Sequence, residues 1–384
     1  MSMVAPPIRI IADDLTGALD AAAAFAQRHG AFTVRWDGVA PTDDARIAFD
    51  IGTREVSRGE AARRMQPAAR RWWSGFAGLA FEKVDSVWRG HPAAEIAAAV
   101  RACDFEGAIV APAFPEQGRV TRDGAQWVCD ANGEQCVASD LVGDLRAEGL
   151  SARLEGAGDA FVLVCDADTL AALQAVVARH RDRGARVLWC GSAGLAHALA
   201  ASFDAAGDAN HAPNEHASVT GATPIVVLVG TDHPVAQAQA DALAAMEGVI
   251  ERWIDATAPD VHRASAANDD ASIVLLRFAI PAASSRANAQ LAIRRALKEV
   301  VPALPRPALA IVTGGETLRA LADALGASAL VVHGERATGV ALAAWRDGAW
   351  GGLPLFTKSG GFGARNLLAE LASIPHTPSF ATRG

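Results

Sequence analysis

The chain has 384 residues, 51% of them hydrophobic, and a formal net charge of −8. That length exceeds one typical domain and predicts two. Lys and Arg are scattered, apart from Arg63-Arg64 and Arg70-Arg71 on what reads as a solvated helix face, so neither a nucleic acid nor a membrane partner is expected.

In chain order, "IRIIA" (8–12) reads as a strand and 15–29 as a helix stopped by Gly30. A strand at 45–51, a helix at 57–73 and a strand at 79–84 follow. Pro92 opens a helix to about 102, at the first-turn position proline favours. Strands at 107–113, 161–167 and 185–191 come next, with helices over 168–183 and from 192. Residues 204–222 are polar, carry Gly, Pro and Asn, and show no apolar period, so they read as a linker. The alternation then restarts, with strands at 224–230, 272–278, 308–315 and 329–334 and helices at 234–246, 287–300 and up to 325. The expectation is an α/β protein of two α/β domains, 1–203 and 223–384, each with a mostly parallel sheet covered by helices.

Five cysteines without paired spacing suggest reduced thiols. Cys103, Cys165 and Cys190 sit in or beside apolar runs, and Cys129 and Cys136 lack a partner set for zinc. With no apolar run long enough to span a bilayer and no signal-like start, a cytoplasmic location is expected.

Several strands end in polar or Gly-rich clusters, where parallel sheets bind ligands. "DDLTGA" places Asp13 and Asp14 before a helix. One carboxylate suffices as a cap, and a second would suit orienting or deprotonating a hydroxyl. "KVDSVWRG" gathers Lys83, Asp85, Ser86 and Arg89, and Arg54 ends another strand. Arg54 and Arg89 are therefore candidate clamps for a carboxylate. "VTGGET" puts Gly314 and Gly315 at a helix start, and "FTKSGGFG" adds Lys358 to a second Gly-rich stretch; together they suit phosphate. Neither a Walker P-loop nor a dinucleotide fingerprint is present. The residues alone point to a two-domain kinase for a small sugar acid.

These clusters, in this order, resemble the four-carbon acid sugar kinase family, which includes 3-oxo-tetronate, D-threonate and D-erythronate kinases. The matching pieces are "ADDLTGA" (12–18), "TR" (53–54), "KVDS" and "RG" within 83–90, "APAFPEQGR" (111–119), "GSAGLA" (191–196), "VTGGET" (312–317), "GV" (339–340) and "KSGGFG" (358–363). The resemblance implies transfer of the γ-phosphoryl of ATP, with Mg²⁺, to the terminal hydroxyl of a four-carbon sugar acid, with the acid on the N-terminal domain. The implied substrate residues are Asp13, Asp14, Arg54, Lys83, Asp85, Ser86 and Arg89. The implied nucleotide residues are Thr231, Gly314, Gly315, Glu316, Thr317, Gly360 and Gly361, with Lys358 beside them. Asp13 and Asp14 are the catalytic candidates, no metal ligand is assigned, and a homo-oligomer is left open. The chain departs from the family at Val87-Trp88, His91-Pro92-Ala93 and Ala236, and a bulky ring beside the substrate cluster is expected to reshape its pocket. A non-catalytic sensor of sugar acid and nucleotide is the alternative reading.

Overall fold

Apolar runs bounded by capping residues set the elements. Asp14 caps helix α1 (Leu15–His29), its side chain accepting from Gly17 N at 2.7 Å, and Gly30 at φ 90° ends it. Ser57 caps α2 (Arg58–Trp73), whose first turn carries Glu60. Pro67 lies inside α2, which continues through it. The computed structural model describes residues 5–38, 44–129, 135–183, 186–203, 224–260, 272–280 and 284–373. The expected linker, 204–222, lies outside them, as do the side chains of Cys129 and Cys136. The chain divides into two compact units, Met1–Ala209 and Asn210–Gly384.

The first unit contains strands β1 (Ile8–Ala12), β2 (Phe32–Arg35), β3 (Arg46–Asp50), β4 (Leu79–Lys83), β5 (Gly107–Ala111), β6 (Arg119–Arg122), β7 (Ala125–Cys129), β8 (Gln135–Asp140), β9 (Ala152–Leu154), β10 (Val162–Val164) and β11 (Val187–Gly191). Eight of them form a parallel sheet in the order β2-β3-β1-β4-β11-β5-β10-β9. Helices α3 (Pro92–Ala102) and α4 (Leu141–Ala147) join α2 on one face, around Trp72, Ile96 and Leu145. Helices α5 (Leu170–His180) and α6 (Ala193–Ser202) join α1 on the other. Strands β6, β7 and β8 make a separate antiparallel sheet that the sequence reading missed.

The second unit contains β12 (Ile225–Val229), helix α7 (Pro234–Ala244), β13 (Val249–Asp255), β14 (Ile273–Ala279), α8 (Arg286–Val300), β15 (Leu309–Thr313), α9 (Gly315–Leu325), β16 (Ala329–Ala337), β17 (Val340–Trp345), β18 (Pro354–Lys358) and α10 (Leu367–Ala372). Its strands run in the order β13-β14-β12-β15-β18-β17-β16. The first five are parallel, and β17 is antiparallel to both neighbours. The fold class is therefore the expected one, with an antiparallel edge where the sequence reading had only a strand at 329–334. Among the described residues no helix is long and apolar enough to cross a membrane. Cys165 and Cys190 are buried, as expected, while Cys103 is half-buried.

Both sheets reverse their strand order at the first strand of the unit. In the first, β3 and β4 flank β1; in the second, β14 and β15 flank β12. Such reversals open a crevice at the carboxyl ends of the strands.

Candidate functional site

At the crevice of the first unit, Ala12 stands level with Asp50 and Lys83. The chain leaves β1 at Asp13, and the turn after β3 docks onto it, with Thr53 N donating to the Asp13 carbonyl at 2.9 Å and Arg54 N at 3.2 Å. The Arg54 side chain then folds back. Its Nε and Nη2 each donate to an Asp13 carboxylate oxygen at 2.6 Å, and its Nη1 reaches Asp14 Oδ2 at 2.8 Å. Asp85 lies 3.5 Å from the same nitrogen. Arg54, expected as a clamp for a substrate carboxylate, here has its fork on the protein's own carboxylates. Burial pushes the Asp13 carboxyl up from its ordinary value, and the Arg54 charge opposes that push.

Asp85 organises the next turn. It accepts from Val87 N, Arg89 N, Arg89 Nε at 3.0 Å and Arg89 Nη2 at 2.7 Å. Against the upward push of burial, these Arg89 bonds and the Arg54 charge hold Asp85 well below the usual carboxylate range. Arg89 itself remains largely exposed. Ser86 offers its carbonyl to Gln126 Nε2 at 2.6 Å, and Gln126 is fixed in turn by Thr121 Oγ1 at 2.8 Å. The antiparallel hairpin thus braces the turn from Asp85 to Arg89, a role for Gln126 that no local sequence signal announces.

Lys83 is buried, and its Nζ donates to the Val84 carbonyl at 2.9 Å. A Cβ on residue 17 would stand 3.2 Å from that nitrogen and 2.6 Å from Asp14 Oδ1, so only glycine fits there. Trp88 corrects another expectation. It adopts φ 62°, packs in the apolar core, and its indole N–H donates to Asp144 Oδ2 at 3.0 Å, so the ring is absorbed by the core beside α4. His91, also flagged as a departure, anchors on the Val56 carbonyl at 2.8 Å.

Sequence reasoning missed two buried acids here. Glu82 and Glu95 are about 1% and 2% exposed, and each is close enough to Asp13 to be repelled by its charge. Burial, then Asp13, pushes Glu95 up to about 8, and burial, then the charges of Glu95 and Asp13, drives Glu82 well above its ordinary value. Glu95 looks in sequence like an ordinary first-turn acid of α3. Arg119, starting β6, was also missed; it senses both Asp85 and Arg89. Around this crevice stand the carboxyl groups of Asp13, Asp14, Asp50 and Asp85 and the cations Lys83, Arg54, Arg89 and Arg119. Arg89, largely exposed, is the cation of this group most open to an anion.

The second unit builds its crevice from turns. Gly314, at φ 97°, caps α9, and Gly315, Glu316 and Thr317 form its first turn. A Cβ on Gly230 would stand 2.3 Å from Thr317 Oγ1, and one on Gly360 3.0 Å from Thr231 Oγ1. Thr231, Gly314, Thr317 and Gly360 are thus brought together, and a Cβ on Gly361 would meet His233 Nε2 at 3.1 Å. His233 was missed. So was Gln239, fully buried, whose Nε2 donates to the carbonyls of Phe362, Gly363 and Ala364 at 3.0, 3.1 and 2.8 Å and pins the glycine turn. Lys358 is the last residue of β18, level with Thr313 and fully buried. Its Nζ and Thr313 Oγ1 have no hydrogen-bond partner among the described residues. Burial pushes the Lys358 ammonium down to about 8.

Residues 8–146 match the family described as a sugar-binding N-terminal domain, and residues 226–368 match a nucleotide-binding C-terminal domain. A D-threonate kinase of Cupriavidus necator is 32% identical, over 94% of this chain and 95% of that protein. The chain belongs to the four-carbon acid sugar kinase family. A second member, the D-threonate kinase of Bordetella bronchiseptica, is 30% identical over 96% of this chain and 98% of its own. A solved structure from Salmonella typhimurium shares the fold at TM-score 0.72 and 18% identity, covering 95% of this chain and 98% of that one. Membership supports a sugar-acid kinase.

Proposed function

We propose that this chain transfers the γ-phosphoryl group of ATP to the terminal hydroxyl of a four-carbon sugar acid, with D-threonate the first substrate to try. The observation that carries the reading is the pair of unlike crevices: a carboxylate-and-cation cluster on the sugar-binding unit, and a glycine-framed, cation-backed turn on the nucleotide-binding unit. Relatives bearing the name D-threonate kinase at 26–32% identity support the choice of acid.

Asp13 receives the proton of the acceptor hydroxyl. Arg54 fixes its orientation, and each carboxylate oxygen keeps a second lone pair for that hydroxyl. Burial raises its proton affinity, which suits a base. Asp14 caps α1 and steadies Arg54. Lys83, Arg89 and Arg119 attract the substrate carboxylate, with Asp85 setting Arg89. On the second unit the backbone N–H groups opening α9, with Thr231, Thr317, Gly360 and Gly361, receive phosphate oxygens. Lys358 acts through its field behind the turns. Mg²⁺ would supply charge neutralisation during transfer; no residue is assigned to hold it.

A coupled assay with ATP, Mg²⁺ and a panel of four-carbon sugar acids tests the reading. ADP release with one of them is expected. Folded protein that binds both ligands in calorimetry yet releases no ADP with any acid would favour a sensor instead.

A further inference from the structure

Edge strand β13 carries Trp253, 44% exposed; with Leu291 it is one of two large apolar side chains so exposed among the described residues. A lone exposed tryptophan is ordinary on a protein surface. This one is held from behind. The guanidinium carbon of Arg277 lies 4.3 Å from its ring centroid. Arg277 is buried and cannot swing away: it donates to Asp241 Oδ1 at 2.7 Å, to Glu251 Oε1 at 2.9 Å and to Gln237 Oε1. Gln237 Nε2 in turn donates to the Thr231 carbonyl at 2.6 Å. An unbroken chain of contacts therefore links the exposed indole to a residue of the phosphate turn.

Register places the ring at the right level. Trp253 pairs with Arg277, Arg277 with Val229, Val229 with Thr313 and Thr313 with Lys358. These residues form one row across the carboxyl edge of the sheet. At the usual strand spacing of about 4.8 Å, the Trp253 backbone stands roughly 10 Å from Val229, which leads directly into Gly230-Thr231. The phosphate turns occupy the middle of the row, and the aromatic surface lies at one end.

We propose that Trp253, held by Arg277, is the platform on which the base of the nucleotide stacks. The inference rests on the nucleotide-binding reading of this unit and adds the place and chemistry of base recognition. A planar, uncharged heteroaromatic ring fits an indole face left open to solvent, and stacking of this kind tolerates different bases. The glycine turns then take only the phosphates.

Calorimetry on the full chain separates the two parts, using a non-hydrolysable ATP analogue and inorganic tripolyphosphate as probes. Trp253→Ala should weaken the analogue about tenfold or more and leave tripolyphosphate affinity unchanged, while Trp253→Phe recovers most of the loss. Unchanged analogue affinity in Trp253→Ala, against measurable binding by the parent chain, overturns the platform alone. So does equal weakening of both probes, or a shift in sedimentation with no change in affinity, which would assign the indole to contact between copies. A parent chain that binds neither probe removes the nucleotide reading and the platform with it.

Discussion

The two crevices occupy the same topological place and solve opposite problems. In the first unit the charged groups are mostly engaged with one another: Arg54 spans Asp13 and Asp14, and Arg89 closes on Asp85. In the second, the buried ammonium of Lys358 and the Thr313 hydroxyl face no protein partner among the described residues. A network of paired charges orients groups for chemistry. A solitary buried cation costs stability and keeps its field for an anion. The difference agrees with the proposed division of labour, in which one unit places a hydroxyl and the other gathers phosphates.

The largest effect expected from breaking this comparison is at Asp13. Asp13→Asn should lower turnover by roughly two orders of magnitude or more, the loss of a general base. Nucleotide affinity in calorimetry should be unchanged, because Thr231 and the glycine turns lie on the other unit. Retained turnover would place the base elsewhere.

Lys358→Met removes the solitary cation. Nucleotide affinity should fall about tenfold, while the melting temperature rises. The ammonium is charged in both folded and unfolded chains below about 8, so its full burial cost applies at pH 7 and is relieved only as pH climbs from about 8 towards 10.5. That cost is roughly 3 kcal/mol. For the same reason the parent chain should bind nucleotide more weakly as pH passes about 8, and the variant should show no such step.

Glu95 sharpens the comparison by testing whether burial beside Asp13 holds a proton in the first crevice. Its folded value, about 8, lies above the unfolded one near 4.5, so its contribution to stability is complete below 4.5 and is lost as pH rises through 8. Between pH 4.5 and 7 the parent chain should lose on the order of 3 kcal/mol relative to Glu95→Gln. Parallel denaturation curves for the two proteins across that range would show that Glu95 does not titrate this way.

The smallest effect is expected at Asp14. Asn caps a helix about as well as Asp, so Asp14→Asn should shift stability by a few tenths of a kcal/mol. Arg54 retains Asp13 and Asp85, so turnover should stay within about tenfold. A loss as large as that of Asp13→Asn would make the two aspartates a single functional unit.

The elements that carry both crevices were legible in the sequence because their signals are local. Asp14 before an Ala-rich helix, Pro92 at a first turn and Gly314-Gly315 after an apolar strand each mark a boundary within a few residues. The antiparallel pieces were not legible. Strands β6 to β8 are short and polar, and β17 and β18 lie among glycines that read as turns; their pairing depends on partners elsewhere in the chain.

The amino-acid sequence by itself determined which residue types stand at the carboxyl ends of the strands, since strand period and turn chemistry are properties of neighbouring residues. It also brought Asp13, Asp14, Lys83, Asp85 and Arg89 into one candidate group. Only the tertiary structure decided what each of them does. Arg54 proved to serve Asp13 because the turn after β3 docks on the end of β1. Trp88 turned into the core because Asp144 of α4 receives its N–H. Glu95 holds a proton and Lys358 sits near its titration point because packing from distant segments removed water from them. Desolvation and pairing are set by neighbours in space, and these lie tens of residues away along the chain.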